Sequence, residues 1–348
     1  MKKIFIVTAL SLLTFQSGYS QQKTIQPVPS DKPSKGQLEQ INRKYGMFIH
    51  FGINTFHDSE WTDGSKPVES YKPDTINADQ WVLTAKNAGM KYVILVCKHH
   101  DGFCLWDSKY TTYDVASSPN KTNVVEAVAK ACKKHKIGLG LYYSLWDRKV
   151  NGNVKDSLQD ATYNQYMINQ LKELFAITKK ITPVVEFWFD GSWVKQNYRW
   201  NVDEIYQTIK QAEPNCQVGI NWSIGFPNNI DKTAHPYHQK QGFPIRYFPT
   251  DFRLGDPDLP SNPDPKTFTH DGKQYYMPWE TTVCMSNKWF YHTQDTTYKP
   301  IDELVKLYIR ATAQDNILII NCPPNRQGVM RERDAQLLIE LRKKLNLK

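Results

Sequence analysis

Eight short apolar runs alternate with helix-period segments along this chain, and nearly every run closes on polar or aromatic residues. No other feature constrains the fold as much. The runs are 44–53 (KYGMFIHFGI), 91–100 (KYVILVCKHH), 137–146 (IGLGLYYSLW), 184–192 (VVEFWFDGS), 216–222 (CQVGINW), 245–252 (IRYFPTDF), 275–282 (YYMPWETT) and 316–324 (NILIINCPP). Apolar periodicity predicts helices near 77–88, 122–136, 160–181, 201–213, 301–314 and 331–346. Asn77, Thr122 and Asn201 stand at N-cap positions, and Gly89 and Gly138 follow helix ends. Strands separated by helices must pair in parallel, and eight of them predict an α/β fold of the (β/α)8 TIM-like barrel type. A doubly wound sheet is the structural alternative. The pattern weakens between 223 and 275, and nine of the twenty prolines fall between Pro227 and Pro278. The barrel is therefore expected to be irregular, with helices short or missing after strands 5 and 6.

The first twenty residues read as an export signal: Lys2 and Lys3, an apolar run over Ile4–Phe15, then Gly18-Tyr19-Ser20 at cleavage spacing. This predicts an exported protein, periplasmic or extracellular. Residues 21–37, rich in Gln, Lys, Pro and Ser, read as a linker, and 38–348 as one catalytic barrel domain. Beyond residue 20 no apolar run is long enough to span a bilayer, and the mean hydropathy is −0.59. The formal charge is +9, or +7 once two signal-segment lysines are removed. The lysines are scattered rather than striped, which argues against a nucleic-acid partner. Six cysteines without a CxxC pair do not make a disulfide scaffold, and whether any two pair is left open.

In such a barrel the chemistry gathers at the C-terminal ends of the strands. Those ends carry His50, His99-His100-Asp101, Tyr142-Tyr143, Asp190, Asn221-Trp222, Asp251 with Arg253, Glu280 and Asn321, with Trp61, Trp146 and Trp188 nearby. Aromatic faces beside fixed polar groups suit a sugar ring. In VEFWFDGSW (185–193) the period of two puts Trp188 and Asp190 on one face and Phe187 and Phe189 on the other. Asp190 is either a carboxylate offered to a ligand or the cap of the next loop. Glu280, beside Trp279, is either an acid with a raised pKa or half of a structural ion pair. Two carboxyl groups on separate strands suggest glycoside hydrolysis. The histidines of KHHDGF (98–103) are read first as hydroxyl binders. A metal site using His50, Glu60 and His99 is the alternative, and adjacent strand histidines chelate poorly because they face opposite ways.

These residues resemble the α-L-fucosidases of glycoside hydrolase family 29. The likeness runs from about Tyr45 to Met330 through KYGMFIHFG (44–52), SEW (59–61), the long segment 78–111 that contains KHHDGF, LYYSLWDR (141–148), EFWFDGSW (186–193), TDFR (250–253), WETT (279–282), WFYH (289–292) and NILIINCPPNRQG (316–328). The resemblance implies a retaining, two-step hydrolysis of terminal α-linked L-fucose on a fucosylated oligosaccharide or glycoconjugate. It implies Asp190 as nucleophile and Glu280 as acid/base. It implies fucose binding by His50, Glu60, Trp61, His99, His100, Tyr143, Trp188 and Arg253, with no metal or organic cofactor. Many family members continue into a C-terminal β-sandwich, and this chain, ending at Lys348, is expected to lack one. A catalytically silent fucose-binding barrel is the alternative function.

Overall fold

A computed structural model describes residues 24–150, 157–194, 200–226, 238–255, 259 and 261–347. The expected signal segment, residues 1–20, lies outside this range. Eight strands form one parallel sheet: β1 (Tyr45–Ile49), β2 (Tyr92–Lys98), β3 (Gly138–Ser144), β4 (Val184–Asp190), β5 (Gln217–Ile220), β6 (Arg253–Gly255), β9 (Trp279–Cys284) and β10 (Ile317–Asn321). Their spatial order is β5-β4-β3-β2-β1-β10-β9-β6. A parallel bridge between Gly219 and Phe252 joins the two outer strands and closes the cylinder. The (β/α)8 expectation holds, and the doubly wound alternative does not.

Helices α2 (Ala78–Asn87), α3 (Val124–His135), α4 (Ser157–Thr178) and α5 (Val202–Ala212) follow the first four strands. Helices α6 (Ile301–Thr312) and α7 (Glu332–Lys344) follow β9 and β10. Asn77 and Asn201 cap their helices as expected, accepting from the N–H groups of Gln80 and Glu204. Asn123, one residue beyond the expected Thr122, caps α3. That helix ends on Lys136 in the left-handed conformation, so Gly138 is free to open β3. Among the described residues no α-helix lies between β5 and β6. After β6 the chain forms an antiparallel hairpin of β7 (Thr267–His270) and β8 (Lys273–Tyr276).

Two strand boundaries differ from expectation. The sixth strand is not 245–252 but the three residues Arg253–Gly255. The run 275–282 is split, its front half ending the hairpin and its back half opening β9 at Trp279. The expected linker also ends early, because α1 (Lys35–Arg43) starts inside it. A capping box closes that helix: Ser34 accepts from Gln37 N–H, and the Gln37 side chain accepts from Ser34 N–H. Gln37 then donates to the carbonyls of Asp251 and Tyr276, each at 2.7 Å, tying α1 beneath the barrel.

The alternation of each strand divides the apolar residues into two layers. Phe187 and Phe189 stack on one another, centroids 4.8 Å apart, in the layer between sheet and helices. Phe48, Ile94, Val96, Tyr142, Trp188, Phe252, Leu254 and Ile319 fill the cylinder, with Ile41 of α1 entering from below. The barrel is thus solid under its C-terminal rim, and a ligand site has to sit at that rim.

Candidate active site

Asp190 ends β4 facing inward, 6% exposed. Tyr142 Oη donates to its Oδ2 at 2.8 Å, and Asn221 Nδ2 donates to its Oδ1 at 3.1 Å. Burial pushes the carboxyl up to about 6, while these two donors and the Gly191 N–H pull it down. Gly191 sits at φ +78, and a Cβ there would lie 2.8 Å from Trp146 Cβ, so only glycine lets the chain turn beside the carboxylate.

Three buried histidines complete the floor. His50 shares its Nδ1 with Asn321 Oδ1 at 2.7 Å. The Asn321 amide is fixed because its Nδ2 donates to the Trp289 carbonyl at 2.7 Å. His50 therefore carries its proton on Nδ1 and offers Nε2 as an acceptor. The same logic fixes His100. Ser144 Oγ donates to the Trp146 carbonyl, so it accepts from His100 Nδ1, and His100 Nε2 stands 3.6 Å from Asp190 Oδ2 with its lone pair free. His99 lies parallel to Tyr142, centroids 5.8 Å apart. Burial lowers all three imidazoles, His50 and His100 to about 3, so they are neutral at physiological pH.

Above this floor opens a cavity of about 480 Å³. Trp61, Glu60, Trp193, Trp222, Asn287, Lys288 and Trp289 form its walls. Trp193 and Trp222 pack together at 5.5 Å, and Trp222 is held at φ +64, a conformation that costs a bulky residue energy. Trp61, half exposed at the rim, meets His100 edge-on at 5.4 Å. Glu60 Oε2 accepts the Trp289 N–H at 2.9 Å, and burial raises this carboxyl above its usual range.

Six of the ten residues expected at the site therefore share this cavity: His50, Glu60, Trp61, His99, His100 and Asp190. Four do not. Glu280 is the second residue of β9, not its end, and pairs in register with Leu254 and Ile317 deep in the cylinder. It is fully buried, accepting from Tyr92 Oη at 2.8 Å and Trp188 Nε1 at 3.1 Å. Trp188 lies below the cavity, stacked under Tyr142 at 5.5 Å. Tyr143 points outward, where it donates to Gln170 and accepts from Lys98 Nζ. Arg253 is buried in a two-pronged pair with Asp264, at 3.1 and 2.8 Å. Tyr142 and Asn221, which hold Asp190, were visible only as strand ends. The Gly-Leu-Gly-Leu alternation of β3 was the available signal, since leucines packed under helices force Tyr142 inward. Among the described residues no three His, Cys, Asp or Glu side chains converge where they could hold a metal ion.

A carboxylate set among neutral imidazoles, with tryptophans around it, makes the rim cavity of this (β/α)8 barrel the candidate active site. A sequence model of the family described as Alpha-L-fucosidase matches residues 13–347, and the chain belongs to that family. Alpha-L-fucosidase 1 of Arabidopsis thaliana is 31% identical over 97% of this chain and 64% of its own length. A putative alpha-L-fucosidase of Oryza sativa is 31% identical over 90% of this chain and 58% of its own length. The crystal structure of a putative alpha-L-fucosidase from Bacteroides ovatus superposes with a TM-score of 0.71 at 28% identity, covering 89% of this chain and 55% of that one. The chain thus spans between about half and two thirds of these relatives.

Proposed function

We propose that this protein is a retaining α-L-fucosidase that removes terminal α-linked L-fucose from fucosylated glycans, with Asp190 as nucleophile and Glu60 as proton donor. The observation that carries the reading is the Asp190 carboxylate, held by one side-chain donor on each oxygen at the floor of a rim cavity. Neutral His50 and His100 turn acceptor nitrogens toward the space where sugar hydroxyls would bind. Glu60 supplies the second carboxyl because it is the only other one among the described residues lining that cavity, and its raised pKa suits an acid. Asp190 attacks the anomeric carbon while the bond to the leaving oxygen breaks and Glu60 gives that oxygen its proton. A fucosyl ester on Asp190 results. Water, giving a proton to Glu60, then attacks the same carbon and frees the Asp190 carboxylate. Two inversions give net retention.

The test is the release of L-fucose from aryl α-L-fucosides, followed by NMR. The α-anomer should appear first, and a β-first product would overturn the retaining mechanism. Glu60→Gln should slow poor leaving groups far more than good ones, and an equal loss on both would remove Glu60 from the acid role. A silent fucose-binding barrel gains support from one observation, the burial of Glu280 away from the cavity. Calorimetric fucose binding without any hydrolysis would favour that reading. We further propose export on the strength of the Lys2-Lys3 start and apolar run. N-terminal sequencing of protein recovered outside the cytoplasm should begin near residue 21, and an intact Met1 would contradict it.

A further inference from the structure

Beneath the cavity lies a group of polar side chains that the proposed reaction does not touch. Glu280 and Glu186 face each other in hydrogen-bonding contact in the lower barrel, both fully buried. Glu186 Oε2 accepts from Gln40 at 3.2 Å and lies 3.6 Å from the Arg43 guanidinium, both on α1. Glu186 Oε1 is buried and receives no hydrogen bond from any other side chain. Two carboxylates in contact cannot both be ionised, and a proton on Glu280 supplies a donor to the Glu186 carboxylate. Glu280 still accepts from Tyr92 Oη and from the Trp188 indole N–H. Trp188 in turn stacks on Tyr142, whose hydroxyl donates to Asp190.

We propose that Glu280, as a neutral acid hydrogen-bonded to Glu186, is a positioning residue. It fixes the Trp188 indole, which fixes the Tyr142 ring, which aims the hydroxyl at Asp190. The inference builds on the reading of Asp190 as nucleophile, but its first readout does not need turnover. The groups that face Glu280 are Tyr92 from β2, Glu186 and Trp188 from β4, and Arg43 and Gln40 from α1 beyond Glu186. Its register neighbours Leu254 and Ile317 are apolar.

Gln is the nearest neutral stand-in: its carbonyl keeps the Trp188 N–H, while its amide donates to Glu186 and to Tyr92 Oη, which turns to accept. Leu keeps the volume and loses every hydrogen bond. The experiment compares Glu280→Gln, Glu280→Leu, Trp188→Phe and Tyr142→Phe with the wild type. It follows the Asp190 carboxyl by carbon NMR titration, and kcat and KM on an aryl α-L-fucoside. Glu280→Gln should keep kcat within about threefold. Glu280→Leu should raise the Asp190 titration midpoint by about one pH unit and lower kcat on the order of tenfold with little change in KM, matching Tyr142→Phe. Should Glu280→Leu fail to fold, Trp188→Phe carries the same prediction in weaker form, since it removes the indole N–H and keeps an aromatic ring beneath Tyr142. An unchanged Asp190 titration in the variants that fold would overturn the proposal. Loss of all turnover in Glu280→Gln would do so too, and would return Glu280 to the role of proton donor. A wild type without hydrolytic activity whose Asp190 titration still shifts in these variants would sink the fucosidase reading and leave this inference standing.

Discussion

Replacing Asp190 by Asn should abolish turnover and stabilise the fold, and the stabilisation should depend on pH in a defined direction. Burial raises the Asp190 carboxyl from 3.8 to about 6. A group whose folded pKa is raised binds its proton more readily in the native state. The stability tied to that proton is complete below the unfolded value and disappears as pH climbs through the folded one. Two pH units correspond to about 3 kcal/mol of cost for holding the ionised form above pH 6. Asn carries no charge and avoids that cost. Its amide cannot accept from both Tyr142 and Asn221, which takes back about 1 kcal/mol. The net gain above pH 7 should be roughly 1–2 kcal/mol, and it should fall away below pH 4, where Asp190 is protonated anyway. Urea unfolding of both proteins between pH 4 and 8 measures the difference. A gap that is flat with pH, or one that grows on acidification, would refute the claim that burial strains this carboxylate. Such stabilisation on loss of the reactive group is the usual exchange of stability for function.

Other perturbations separate the remaining parts of the site. Lys98 and Asp147 form a fully buried pair at 2.8 Å, and Asp147 also accepts from the N–H groups of Lys149 and Val150. Lys98→Met should cost about 3–5 kcal/mol by stranding a buried charge, and a loss under 1 kcal/mol by chemical denaturation would show the pair to be dispensable. Trp222→Ala removes a cavity wall rather than the floor, so it should weaken kcat/KM for fucosylated oligosaccharides on the order of tenfold while leaving α-L-fucosyl fluoride within about twofold; equal losses would place Trp222 against the fucose ring instead. All six cysteines are buried thiols. Thiol titration should therefore find six groups in denaturant and almost none in the native protein, and fewer than six would indicate a bridge.

Every α-helix but α1 was legible to within three residues because apolar period and Asn caps act locally. Strands one to five and eight were equally plain, being apolar runs bounded by turns. The misreadings share a physical origin. The resemblance implied Tyr143 as a sugar binder, but one residue along a strand turns a side chain to the other face, and Tyr142 is the one that points inward. Glu280 was read as a strand terminus because 275–282 looks continuous. The chain in fact leaves the hairpin at Tyr276 and enters the barrel at Trp279, which carries Glu280 to the lower layer. Arg253 heads a three-residue strand whose inward neighbours are Phe252 and Leu254, so it faces away from the cylinder, toward Asp264. Helix α1 hid in a Lys- and Gln-rich stretch, although Ser34 and Gln37 have the spacing of a capping box. The histidines, Glu60 and Asp190 were recoverable because strand ends and the loops beside them have one destination in a closed barrel, the rim.

The central claim is that Asp190 forms the bond to the sugar. A 2-deoxy-2-fluoro-α-L-fucosyl donor with a good leaving group slows breakdown of the ester, so the protein should gain the mass of one fluorosugar. Peptide mapping should then put that mass on the segment containing Asp190. A label on Glu60, on Glu280 or on any other side chain would contradict the account.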